Sequence, residues 1–195
     1  MDAGEIEIQK QFNERCEESV YRALARERGN MLVQLVANAE LESILDIGAR
    51  HGDTLIHIHD MAPMLRLTGV DIVPSFLDEI RESGIEAVEA DAADLPFPDQ
   101  SFDLVFCSHT LEHCLDSQKA MEECFRVAKN AVLLVVPIED QKHFDENPSH
   151  HFHAKHPADW WEMYIKADSK RAFLPTLCRL TQYADVEMLF MRVPE

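Results

Sequence analysis

The stretch Ser43-Ile44-Leu45-Asp46-Ile47-Gly48-Ala49-Arg50-His51-Gly52-Asp53 constrains this chain most. An apolar run ends in an acid, two glycines follow, and Thr54-Leu55-Ile56-His57-Ile58-His59 starts a helical pattern. That order reads as a buried strand, a tight turn and a helix N-terminus, the binding corner of a doubly wound α/β sheet. Gly48 lets the backbone turn and approach a ligand without a Cβ in the way. The N–H groups of the helix N-terminus point at that ligand. A dinucleotide fingerprint counted from Gly48 needs glycines where Arg50 and Asp53 stand. Asp53 would also set a carboxylate against a pyrophosphate. A ligand without phosphates meets neither objection.

The rest of the chain alternates in the same way. Leu65 to Ile72 reads as a second strand ending at Asp71, where an acid accepts both hydroxyls of a ribose. Pro74 and Ser75 open a helix through Arg81 that Gly84 ends. Ile85 to Ala90 is a short strand, and the prolines of Leu95-Pro96-Phe97-Pro98 make an extended loop. Asp103 to Cys107 is a buried strand, Asp116 to Ala128 an amphipathic helix and Ala131 to Val136 a central strand. Such alternation implies a parallel sheet covered on both faces. Upstream, Ile8, Phe12, Cys16, Val20 and Leu24 make a helical stripe; Gly29-Asn30 interrupts it, and Met31 to Ala39 resumes as a second helix. Downstream, Ala158 to Ile165 predicts a helix carrying Trp160, Trp161 and Tyr164, residues that either fill the core or line an apolar pocket. Leu177 to Tyr183 and Val186 to Val193 predict a closing antiparallel hairpin.

Composition narrows the function classes. A length of 195 residues suits one domain with a sizeable core. The formal net charge of -18 opposes binding to nucleic acid or to an anionic membrane. No apolar run approaches the ~18 residues that span a bilayer. The acidic start Met1-Asp2-Ala3-Gly4-Glu5-Ile6-Glu7 has no signal-peptide core, so a cytoplasmic location is the expectation. The five cysteines include no C-x-x-C pair, which argues against a disulfide framework or a cysteine zinc site.

Asp46-x-Gly48-x-Arg50-x-Gly52 resembles the D/E-x-G-x-G-x-G turn of class I S-adenosylmethionine (AdoMet) dependent methyltransferases, with Arg50 in place of the middle glycine. Asp91-Ala92-Ala93-Asp94-Leu95-Pro96-Phe97-Pro98-Asp99, then Ser101-Phe102-Asp103-Leu104-Val105, then Leu111-Glu112-His113, is similar in order and spacing to the signature of that family's small-molecule branch, the methyltransferase type 11-like group. The resemblance runs from about Ile44 to Val136. It implies a Rossmann-like three-layer α/β/α sandwich with a mostly parallel seven-stranded sheet and a closing antiparallel hairpin. It implies a single methyltransferase domain over 1–195: N-terminal helices in 1–40, an AdoMet-binding half in 41–136 and an acceptor side in 137–195. The cofactor is AdoMet, the product S-adenosylhomocysteine, and the partner a small-molecule acceptor methylated on O or N.

By the same resemblance, Asp46 and the turn Gly48, Ala49, Arg50 and Gly52 hold the methionine end. Asp71 takes the ribose hydroxyls, Ile72 packs on adenine, Asp91 accepts from the adenine amino group, the Ala92 N–H faces a ring nitrogen, and Ser108 sits near the sulfonium. A folded chain with arginine at position 50 predicts a negative φ there, with the guanidinium free to fork onto the AdoMet carboxylate. A base for the acceptor's proton comes from His109 or from the run His143, His150, His151, His153 and His156, with His109, His150 and His153 the candidates taken as catalytic. Two rival readings stand beside this one. The fold persists while cofactor binding is lost, leaving a scaffold, or His109-Thr110-Leu111-Glu112-His113 is the H-x-x-E-H motif of a zinc metalloenzyme. The methyltransferase reading requires no metal.

Overall fold

The structure, a computed structural model, describes residues 4, 7–8, 18–168, 172–181 and 185–194. Phe12 and Cys16 of the N-terminal stripe, and part of the connection between the last two strands, lie outside the described residues. The strands form one seven-stranded mixed sheet in the order β3-β2-β1-β4-β5-β7-β6. They are β1 (Ser43–Ile47), β2 (Arg66–Asp71), β3 (Glu86–Glu89), β4 (Phe102–Ser108), β5 (Ala128–Pro137), β6 (Phe173–Leu180) and β7 (Asp185–Arg192). This is the expected Rossmann-like α/β fold with its antiparallel closing hairpin. The chain divides into two compact units, Met1–Asp91 and Ala92–Glu195.

The first unit pairs β1 with β2 and β2 with β3, all parallel. Every residue of β1 is buried, as a strand covered on both faces requires. Helix α1 (Glu18–Ala39) runs unbroken through Gly29 and Asn30, contrary to the predicted interruption. Packing against α2 (Asp53–Met61) overrides helix propensity here. A Cβ on Gly29 would lie 2.7 Å from the His57 ring, and Asn30 hydrogen-bonds His57 at 3.0 Å. Gly52 caps α2 at φ 78, and a Cβ there would meet the Ile80 side chain at 2.3 Å, so space and backbone both require glycine. Ile80 lies in α3 (Asp78–Glu82), which a 3-10 turn over Pro74–Leu77 precedes.

The second unit pairs β4 with β5 in parallel and adds β7 and β6 antiparallel. The helices are α4 (Ser117–Val127), α5 (Gln141–Glu146) and α6 (Pro157–Ala167). Asp116 caps α4 by accepting from the Lys119 N–H at 2.9 Å. The core gathers Phe125, Tyr164, Phe173 and Phe190 in ring contacts 4.3–5.5 Å apart. Trp160 is fully buried and its indole N–H donates to the Pro137 carbonyl at 2.9 Å, while the Tyr164 hydroxyl donates to Phe173 at 2.8 Å. Trp160 and Tyr164 are therefore core residues with their polar atoms satisfied.

Candidate functional site

The turn after β1 is built by its own main chain. The N–H groups of Gly48 and Ala49 both donate to the Val70 carbonyl, at 2.8 and 2.9 Å, which bends the chain back toward the end of β2. Gly48 holds φ 76 and Arg50 holds φ 52. The negative φ predicted for Arg50 is thus corrected: the position is left-handed, as the glycine of the family pattern would be. The Arg50 N–H pays for this strain in part by donating to Asp71 Oδ2 at 2.9 Å, while Val73 N–H donates to Oδ1 at 2.9 Å. Asp71 at the end of β2 therefore anchors the turn after β1. A carboxylate has about four lone-pair sites, so these two bonds leave capacity for ligand hydroxyls.

Asp46, in β1 just ahead of this turn, is buried. Burial raises its pKa from 3.8 to about 8, Arg28 pulls it down and Asp71 adds to the rise. Asp71 is raised as well by burial, against the N–H groups of Val73, Arg50 and Ile72 and the charge of His51, which lower it. A cation held in this corner would favour the ionised form of both carboxyls. Ile72 follows Asp71 directly, and the Ala90 N–H donates to the Asp71 carbonyl at 3.2 Å, carrying the ladder on toward Asp91. Ala92 opens the second unit.

In that second unit Ser108 ends β4, and its hydroxyl is buried without a partner among the described residues. His109 follows at φ 51, with its N–H on the Val135 carbonyl at 2.8 Å. Its ring lies between two carboxylates, Nε2 at 3.1 Å from Asp185 and Nδ1 at 3.4 Å from Glu112. Burial lowers its pKa, but those partners outweigh it and bring it to about 9. A histidinium has no lone pair, so near neutral pH His109 is a held cation rather than a base.

The histidine-rich segment is organised on Glu139. Its Oε2 accepts from His150 Nδ1 at 2.8 Å, its Oε1 is 3.3 Å from His143 Nε2, and its main-chain carbonyl accepts from His153 Nε2 at 3.0 Å. Glu112 and His113 sit in a 3-10 turn over Leu111–His113, and the N–H groups of His151 and Phe152 donate to the Glu112 carbonyl at 2.7 and 3.2 Å. The Glu112 carboxylate is buried, with Oε2 unpartnered among the described residues. Burial drives His113 down to about 4 against the pull of Glu112. Sequence reasoning passed over Glu139 and Asp185 as site groups. Nothing in their local pattern marks them, because their partners lie 4–76 residues away along the chain and meet them only through the fold.

Residues 45–136 match the family model described as a methyltransferase domain. That similarity takes in just under half of the chain. The chain is 34% identical over 90 residues to demethylmenaquinone methyltransferase of Deinococcus radiodurans, covering 43% of this chain and 37% of that one. It is 29% identical over 127 residues to trans-aconitate 2-methyltransferase of Escherichia coli, covering 63% and 50%. The matched part thus spans half or less of the length of these relatives. Magnesium protoporphyrin IX methyltransferase from Synechocystis, solved with bound SAH, shares the fold with a TM-score of 0.66 at 14% identity, over 86% of this chain and 83% of that one.

Proposed function

We propose that the chain is an AdoMet-dependent methyltransferase that moves a methyl group to an O or N atom of a small-molecule acceptor. The observation that carries this reading is the corner at the ends of β1 and β2, where Asp71 anchors the left-handed turn at Arg50 that follows the buried Asp46. The donor set fits AdoMet: carboxylates where a cationic, phosphate-free ligand needs them, and none of the extra glycines a pyrophosphate needs. Asp71 accepts from the ribose hydroxyls, Asp46 faces the positive methionine end, and Ile72 and Asp91 receive the adenine. When bound, AdoMet supplies a methyl carbon already activated by its sulfonium. The chain's work is then alignment and exclusion of water. The relatives named for demethylmenaquinone and trans-aconitate support a small acceptor.

Calorimetry tests the cofactor and labelled AdoMet with metabolite pools tests transfer. The expected result is binding of AdoMet and S-adenosylhomocysteine, no binding of NAD, and a labelled product. Asp71→Ala should weaken AdoMet binding by roughly 1.5–3 kcal/mol, the loss of hydrogen bonds to a charged group. Binding without any transfer would leave the scaffold reading, and NAD binding without AdoMet binding would overturn the proposal.

A further inference from the structure

We propose that Glu112, His113 and His150 form a site for one divalent transition-metal ion of the zinc class. One ligand atom from each lies within 4.8 Å of the others. An ion at the centre of even the widest such triangle is about 2.8 Å from each atom, and zinc takes N and O ligands at about 2.0–2.2 Å. Sub-ångström side-chain shifts therefore close the shell.

The hydrogen bonds fix the tautomers that ligation needs. His113 Nδ1 is 3.1 Å from the Ser149 carbonyl, which only accepts, so Nδ1 carries the hydrogen. His150 Nδ1 is 2.8 Å from the Glu139 carboxylate and donates in the same way. In both neutral rings the lone pair is then on Nε2. A carbonyl or carboxylate on the far ring nitrogen is the usual orienting partner of a metal-bound histidine. The rings themselves meet edge to face, centroids 4.5 Å apart.

Glu112 supplies an independent observation. Its side chain is 1% exposed, and Oε2 has no partner among the described residues. A buried carboxylate oxygen without a partner is costly, and a cation removes that cost. The backbone holds the ligands together, since the N–H groups of His151 and Phe152 pin the loop carrying His150 to the Glu112 carbonyl. This set is not the helical H-x-x-E-H pair. His109 is turned to Asp185 and Glu112, and the second histidine comes from position 150. Three protein ligands leave a fourth position for water.

The test uses the full chain stripped with chelator and titrated with Zn²⁺ against a chromophoric competitor, then with Co²⁺ read by its visible absorption. One equivalent should bind, with Co²⁺ bands of low coordination number. Glu139→Ala, which removes an orienting partner, should weaken Zn²⁺ binding ~10–100-fold. His113→Ala and His150→Ala remove a ligand and should cost at least as much. His59→Ala on α2 should change nothing. Glu112→Gln keeps size and hydrogen bonding and should still lose affinity, which covers the case in which the alanine variants unfold. Absence of stoichiometric Zn²⁺ and of Co²⁺ bands in the wild type, or wild-type affinity in folded His113→Ala and His150→Ala, overturns the site.

Discussion

At the scale of single residues, β1 and the turn after it hold two strained positions with opposite remedies. Arg50 sits at φ 52, where a side chain costs roughly 1–2 kcal/mol that glycine avoids. Glycine also frees the unfolded chain, which returns part of that gain. Arg50→Gly should therefore stabilise the fold by up to about 1 kcal/mol in urea unfolding, and a loss of stability would mean that the guanidinium contributes more than the strain costs. Asp46 is strained by charge. Its folded pKa is about 8 against the ordinary 3.8, so the folded state keeps a proton that the unfolded state releases between those values. A raised folded pKa gives stability that is complete below about pH 4 and lost as pH rises through about 8. The slope approaches 1.4 kcal/mol per pH unit, roughly 2.303RT, within that window. Asp46→Asn removes the titration, so its advantage over the wild type should grow from acid toward neutral pH. Parallel pH profiles of the two proteins would refute this assignment.

At the scale of elements, α4 clamps the proline-rich loop before β4. Arg126 donates to the carbonyls of Phe97 at 2.7 Å and Leu95 at 3.0 Å, and to Asp99 at 2.9 Å, while Glu123 accepts from the Leu95 N–H at 2.8 Å. Arg126 and Glu123 also pair with each other at 2.6 Å. The forked geometry needs a guanidinium. Arg126→Ala should cost about 1.5–3 kcal/mol in thermal or urea unfolding, and Arg126→Lys should recover little of it. Full recovery by lysine would show that charge alone matters here. The same element shows what the sequence made legible. The strand ends at Asp46, Asp71 and Ser108, the α4 stripe and the hairpin were readable because each is written in local periodicity and turn residues. Gly29 misled because its reason, the His57 ring against it, lies on another helix. The order inside the histidine-rich segment was not readable, since it depends on Glu139 and Glu112 meeting residues distant in sequence.

At the scale of the whole molecule, charge is the dominant long-range term. The chain has 36 acidic residues against 18 basic ones. Local pairs such as Arg81 with Asp78 and Lys142 with Glu146 neutralise some of this, and exposed pairs of that kind contribute about 0–1 kcal/mol each. The excess of acid remains and repels itself across the compact state. Added salt weakens both effects. The screening length falls from about 30 Å at 0.01 M to about 8 Å at 0.15 M. Pairs closer than 4 Å lie inside the screening length throughout, whereas repulsion between scattered carboxylates is longer-ranged and is largely lost. Stability should therefore rise with sodium chloride over that range. For a chain of this size about 1 kcal/mol moves the melting temperature by roughly 2–4 °C, so a gain of a few degrees is the expected reading in a thermal melt. A melting temperature that falls steadily with salt would show that paired charges outweigh the excess of acid.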